Sequence, residues 1–224
     1  MTNNLPNQPV KLHLGCGQKC LAGYLNIDFP LENHSVQQKS VADLHADITS
    51  LNYPQGTVGE VRLHHVFEHF RRPTAAAFLA SWNRWLIDGG RLHIEVPDLY
   101  RSCLTIVNPL SSFHRKAITE RHLFGSHEAS WAIHYEAYTA DLLSGMMRAF
   151  GFKLIKSRHI SWRGIYSIEL IAVKIRSFND PADSREAARQ YLTNFLVDSS
   201  KDELTLLDAW LSMFDEQMHR GLSN

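Results

Sequence analysis

The stretch Val10-Lys11-Leu12-His13-Leu14 alternates apolar and polar residues and runs straight into Gly15-Cys16-Gly17. Alternation with a period of two that stops at glycine reads as a strand entering a tight turn. Glycines at such a turn have no β-carbon, so the backbone can take unusual dihedrals and come close to a ligand. An opening strand of this kind points to a sheet that presents something at its carboxyl end. The later elements decide which kind of sheet.

Tyr24 to Asp28 is a second short strand ending in an acid, and residues 41–48 read as a third, ending beside Asp47. Val61 to Val66 is a fourth. Pro73 opens a helix where its missing N–H costs nothing, Phe78, Leu79, Trp82 and Leu86 give that helix an apolar stripe, and Gly89-Gly90 is expected to stop it. Arg91 to Val96 is a fifth strand, closed by Pro97-Asp98, with Asp98 expected to cap a helix over 99–107 rather than to touch substrate. A helix is expected over 111–124, and another from the N-cap Thr139 to Gly151. Two further strands lie near 152–160 and 165–175. Strands alternating with helices predict a mostly parallel, helix-covered α/β sheet, whose ligands bind outside the carboxyl ends of its strands.

At 224 residues, 44% hydrophobic and 21% charged, the chain suits one such domain with a buried core and a small appendage. The boundary falls in the polar link Ser177 to Asp183. It divides a domain of residues 1–177 from a helical extension of residues 178–224, with helices over about 184–197 and 201–220. In the second helix, Leu204, Leu207, Leu211, Phe214 and Met218 recur at three- and four-residue spacing. That stripe serves either packing within the chain or a homodimer contact.

Lys+Arg and Asp+Glu balance at 23 each, so no global field favours nucleic acid or an anionic membrane. The three cysteines, Cys16, Cys20 and Cys103, cannot frame a disulfide scaffold and read as free thiols in a reducing compartment. The start, Met1 to Pro9, lacks a basic-then-apolar signal, and no run approaches the roughly 20 apolar residues that span a bilayer. These features predict a soluble, cytoplasmic protein.

Asp28 stands where a carboxylate can accept both ribose hydroxyl hydrogens, and at Asp47-Ile48 an acid can accept from an adenine amino group. A dinucleotide site would need Gly-x-Gly-x-x-Gly with an acid about 20 residues later. Here Cys20 occupies the third glycine position, Asp28 comes too early, and residues 18–23 leave little room for a phosphate-binding helix.

Five motifs occur in order: Leu12-His13-Leu14-Gly15-Cys16-Gly17, Gly23-Tyr24-Leu25-Asn26-Ile27-Asp28, His65-Val66-Phe67-Glu68-His69, Trp85-Leu86-Ile87-Asp88-Gly89-Gly90-Arg91-Leu92 and Val96-Pro97-Asp98. From about residue 10 to 175 the chain resembles the class I S-adenosylmethionine-dependent methyltransferases. It is most similar to a bacterial group of small methyltransferases associated with surface-polysaccharide genes. The resemblance implies a Rossmann-like, seven-stranded, mostly parallel sheet with its last strand antiparallel. It also implies S-adenosylmethionine as methyl donor and S-adenosylhomocysteine as product. The implied cofactor residues are His13, Leu14, Gly15, Cys16, Gly17, Asp28, Asp47, Ile48, His64 and His65. Two positions depart from the pattern: many relatives carry an acid where this chain has His13, and often a third glycine where it has Lys19.

Between the fifth strand and the next helix, His114, His122, His127 and His134 are interleaved with Phe124-Gly125, Trp131 and Tyr135. Such a segment often builds the acceptor wall, and a Phe-Gly step followed by an aromatic-flanked histidine resembles a signature of the group. His134 is the first candidate for a general base or acceptor-orienting residue and His127 the second, with a hydrogen-bonded structural role as the alternative for both. His65 and His69 are four residues apart but sit at a strand-to-loop turn, so no metal is expected. The helix aromatics Trp82 and Trp85 read as core, without the basic interleaving of a base-stacking platform. The expected activity is methylation of an oxygen, less readily a nitrogen, on a sugar, glycan or other small polar acceptor. The alternatives are a catalytically silent cofactor-binding module and an NAD-dependent oxidoreductase.

Overall fold

A computed structural model of the protein describes residues 8–30 and 39–220. The polar start, expected to carry no signal segment, lies mostly outside them. Seven strands form one sheet: β1 (Val10–Leu14), β2 (Leu25–Asp28), β3 (Leu44–His45), β4 (Val58–His64), β5 (Leu86–Pro97), β6 (Phe152–Trp162) and β7 (Ile165–Lys174). Their order is β3-β2-β1-β4-β5-β7-β6. All pair in parallel except β7, which runs antiparallel to both β5 and β6. Strand order reverses between β1 and β4, so their carboxyl ends form the crevice where such sheets bind ligands.

The helices are α1 (Arg72–Trp85), α2 (Leu99–Val107), α3 (Phe113–Phe124), α4 (Ala140–Ala149), α5 (Pro181–Thr193) and α6 (Lys201–Arg220). Thr139 caps α4 by accepting from the Leu142 N–H, and Asp98 caps α2 by accepting from Arg101. Apolar side chains of α1, α4, α5 and α6 join Leu12, Leu14, Leu63, Ile94 and Leu170 in one core on one sheet face. Helices α2 and α3 sit against β7 at its end, where Arg115 and His122 bond to Tyr166.

Helices cover that face of the sheet. Right-handed crossovers put the β1→β2 and β2→β3 connections on the face opposite α1. Among the described residues, no connection between β1 and β4 carries an α-helix, only a 3-10 turn at Ile48–Ser50. Among the described residues, that face carries polar groups that satisfy one another. His13 bonds Asn26 at 3.0 Å, His64 bonds Glu95 at 2.9 Å, and His93 and Arg158 each meet Glu169 at 2.9 Å.

Three local expectations are corrected. Helix α1 ends at Trp85, where Leu86 turns extended and its N–H caps the Trp82 carbonyl. Gly89-Gly90 therefore lie inside β5, at a bulge where pairing jumps from Val58↔Leu86 to Glu60↔Arg91. The third strand shrinks to two residues, because Asp47 turns its carboxylate onto the Thr49 N–H and opens the 3-10 turn. Helix α5 begins at Pro181 behind its cap Asp180 and ends at Thr193.

The α6 stripe is spent largely inside the chain: Leu207, Leu211 and Phe214 are buried in the core, while Leu204 and Leu206 stay exposed. Among the described residues, no helix is long and apolar enough to cross a membrane. The packing predicts that Phe214→Ala costs about 3–5 kcal/mol in urea unfolding, as truncation of a large buried aromatic does. A loss below about 1 kcal/mol would show that α6 is not part of this core.

Candidate active site at the strand ends

A cavity of about 520 Å³ opens at the carboxyl ends of β1, β2 and β4. Nine of the ten residues assigned above to the cofactor line it: His13, Gly15, Cys16, Gly17, Asp28, Asp47, Ile48, His64 and His65. Leu14 is the exception: strand alternation turns its side chain into the core, where it is 1% exposed. The wall also includes Lys19, Val66, His69 and Trp131, which the sequence singles out without assigning them to the cofactor, and Phe29, Thr49 and Phe70, which no motif contains.

The turn itself is dictated by close packing. Gly15 has φ +66°, and a β-carbon there would overlap the Val66 side chain. Gly17 has φ +56°, and a β-carbon there would meet no atom of the described residues within 4 Å. Cys16 donates its N–H to the Ile27 carbonyl at 3.0 Å and accepts from Lys19 at 2.9 Å, which locks the turn to β2. Burial, then the Asp28 carboxylate, pushes the Cys16 thiol up to about 12. Asp28 stands at the end of β2 with Oδ1 accepting from the Phe29 N–H at 2.9 Å.

His13, where relatives carry an acid, is buried and hydrogen-bonded to Asn26 through Nδ1; burial lowers its pKa, so it is neutral. The His64 ring lies between His13 and His93, with centroids 5.8 and 5.7 Å away, and takes the Arg62 Nε–H at 2.7 Å. His65 sits at φ +53° with Nδ1 3.2 Å from Glu68 and Nε2 3.5 Å from Glu95. Burial opposes its charge, but the two carboxylates outweigh it and push His65 up to about 10. At neutral pH it is a cation and cannot accept a proton.

The two catalytic candidates are not brought to the cavity. His127 lies on an exposed turn with Nε2 2.9 Å from the Phe124 carbonyl. His134 stands behind the wall, on a segment held by the Tyr135 N–H donating to the Glu68 carbonyl at 2.9 Å. Its Nδ1 is 3.1 Å from the Leu123 carbonyl, and burial lowers its pKa. The Phe124-Gly125 step closes this loop, since Gly125 bridges Ile133 and the His134 N–H donates to the Phe124 carbonyl. His69 is the ring that reaches the cavity, edge-on to His134 with centroids 4.5 Å apart.

A second cavity, of about 570 Å³, lies between α1, α5 and α6, away from the strand ends. Of its charged groups, Arg185 and Asp215 pair at 3.0 Å, Arg84 bonds Asn52 and Asp180 caps α5, and among the described residues no strand terminus lines it, so the chemistry is placed at the strand ends.

Comparison with known proteins bears on the fold. Residues 12–94 match the methyltransferase domain family. No curated protein matches the sequence. Among solved structures, the chain is similar to 1,6-didemethyltoxoflavin-N1-methyltransferase from Burkholderia thailandensis, solved with 1,6-didemethyltoxoflavin and S-adenosylhomocysteine bound. That likeness has 17% identity and a TM-score of 0.51, over 75% of this chain and 72% of that one. It is also similar to a Bacillus halodurans protein described as a candidate methyltransferase, at 14% identity and TM-score 0.51, over 75% and 94% of the two chains. At these identities the likeness is one of fold. The fold is the Rossmann-like methyltransferase fold.

Because Cys16 is held as the neutral thiol, an alkylating reagent at about pH 8 is expected to modify exposed Cys20 and Cys103 and spare Cys16. Peptide mass spectrometry reads this directly; Cys16 labelling as fast as Cys20 would contradict the burial and charge described here.

Proposed function

We propose that this chain transfers the methyl group of S-adenosylmethionine to an oxygen, less readily a nitrogen, of a sugar or other small polar acceptor. One observation carries the reading: the Gly15–Gly17 turn, Asp28 and Asp47-Ile48 converge on a single cavity at the ends of β1, β2 and β4. In this reading Asp28 accepts the ribose hydroxyl hydrogens and Asp47 lies on the adenine side. The Gly17 turn makes room for the methionine and ribose. Lys19, on the cavity rim, offers an ammonium to the methionine carboxylate, a role for which neutral His13 is unsuited. The Cys20 departure from the dinucleotide pattern and the absence of a helix between β1 and β2 weigh against NAD.

The reaction is an in-line displacement. An acceptor oxygen lone pair forms the bond to the methyl carbon, the carbon–sulfur bond breaks with its electrons going to sulfur, and the hydroxyl proton leaves for a base or solvent. Because the sulfonium loses its charge, the protein's task is chiefly alignment, where positioning supplies about 7–11 kcal/mol in ideal cases. The wall of half-buried His69 and Phe70 and exposed Trp131 supports an acceptor face of mixed polarity. His134 fits a positioning role in this reading, acting on the site through His69. Surface-polysaccharide sugars are the acceptor class we favour. The three free thiols fit work in the cytoplasm. A homodimer through α5 and α6 would have to use the exposed Leu204 and Leu206.

Titration calorimetry and thermal unfolding with S-adenosylhomocysteine test the reading. A specific site adds roughly 2.7 kcal/mol of stability at a hundredfold excess over the dissociation constant. Asp28→Ala is expected to weaken binding at least tenfold, about 1.4 kcal/mol. Binding of NAD with none of S-adenosylhomocysteine, or an unchanged affinity in Asp28→Ala, would contradict it.

A further inference from the structure

Behind the cavity wall, three side chains converge in a way the methyl-transfer reading does not require. Glu68 is fully buried, on a 3-10 turn at Phe67–His69. His65 engages its Oε1 at 3.2 Å, while Oε2 is buried without a hydrogen-bond partner. A buried carboxylate oxygen left unpaired is costly and calls for an explanation, an ion among them. Two imidazoles lie beside it. His69 Nδ1 is 3.2 Å from the Ile133 carbonyl and His134 Nδ1 is 3.1 Å from the Leu123 carbonyl. A carbonyl can only accept, so each Nδ1 carries the hydrogen and, in the uncharged ring, each Nε2 holds its lone pair. The His134 Nε2 lies 4.0 Å from Glu68 Oε1, acceptor facing acceptor. One donor atom from each of Glu68, His69 and His134 lies within 4.8 Å of the others.

Packing alone explains Glu68 as the partner of His65. It does not explain an imidazole turned, lone pair inward, onto the same carboxylate, with a ligand atom of a second imidazole within 4.8 Å of both. A backbone carbonyl holding the far ring nitrogen of each histidine is the arrangement that orients imidazoles for a metal and fixes their tautomer.

We propose that Glu68, His69 and His134 bind one divalent transition-metal ion of the zinc type in the wall of the cavity. Two nitrogens and one carboxylate favour such an ion over magnesium or calcium, which take oxygen ligands. Zinc–nitrogen and zinc–oxygen bonds of about 2.0–2.2 Å are reached after an inward shift of the three side chains. Three protein ligands leave a coordination position open, and because His69 lines the cavity, an acceptor oxygen could take it. Binding of the ion does not rest on the methyl-transfer reading; only a role for the ion in holding the acceptor does.

Metal-stripped protein titrated with cobalt(II) tests the site, read by the visible absorption of cobalt bound to nitrogen and oxygen, with zinc as competitor. One ion per chain is expected, displaced by zinc and not by magnesium, with affinity at least tenfold weaker in His69→Ala and in His134→Ala. Circular dichroism of each variant reports folding. Should His134→Ala fail to fold, His69→Ala and the zinc-induced rise in wild-type melting temperature decide. No cobalt spectrum and no zinc-induced rise in the wild type would overturn the proposal, as would binding that survives in the folded variants. S-adenosylhomocysteine affinity measured on the wild type, metal-stripped and zinc-loaded, keeps the two claims apart: its absence in both would count against the methyltransferase reading and leave the metal site standing.

Discussion

The arrangement depends on the parallel pairing of β1 with β4, which sets Leu14 against Leu63 and brings the Gly15 turn beside Val66. With no room for a β-carbon between Gly15 and Val66, the two strands end at the same level. That common level lets one chain segment supply the turn and the other supply His64, His65 and, one 3-10 turn on, Glu68 and His69. A register shift of one residue would flip these side chains to the opposite face and dismantle the cavity.

The second determinant is an asymmetry of the two sheet faces. Helices contributed after β4 bury the apolar face, while the face served by the short early connections is built from charged and imidazole groups. Such a face is stable only because its members are paired. Burial and the His64 and His65 partners act in opposite directions on Glu95, and the partners win, holding its carboxyl well below the usual range. His93 goes the other way, its pKa lowered chiefly by burial, and bonds Glu169 as a neutral ring. The polar layer thus continues under the cavity floor through His13 and His64, where a conventional core would have placed aliphatic residues.

Much of this is legible from residue order because it is local. Alternation that stops at glycine marks β1, and an acid at a strand end marks Asp28 and Asp47. Thr139 and Asp98 announce their helices by capping chemistry. The illegible part depends on long-range closure. Gly89-Gly90 look like a helix stop until β4 is seen to require a bulge. Asp47 looks like a strand end until its own carboxylate turns the backbone. His134 draws attention through its flanking aromatics, but its place edge-on to the His69 ring depends on the Gly125–Ile133 bridge, which no local pattern announces. Convergence of Glu68, His69 and His134 joins residues 65 positions apart in sequence, and no spacing rule covers that distance.

At the centre stands a grip by the Gly15–Gly17 turn and the Asp28 carboxylate on an adenosine that carries a sulfonium or its demethylated form. A crystal structure grown with S-adenosylhomocysteine tests it most directly. The expected result is the ribose hydroxyls within hydrogen-bond distance of Asp28, adenine beside Asp47-Ile48, and the thioether sulfur facing the wall that includes His69. Density for the ligand elsewhere, or side chains filling the space beside Gly17, would contradict it.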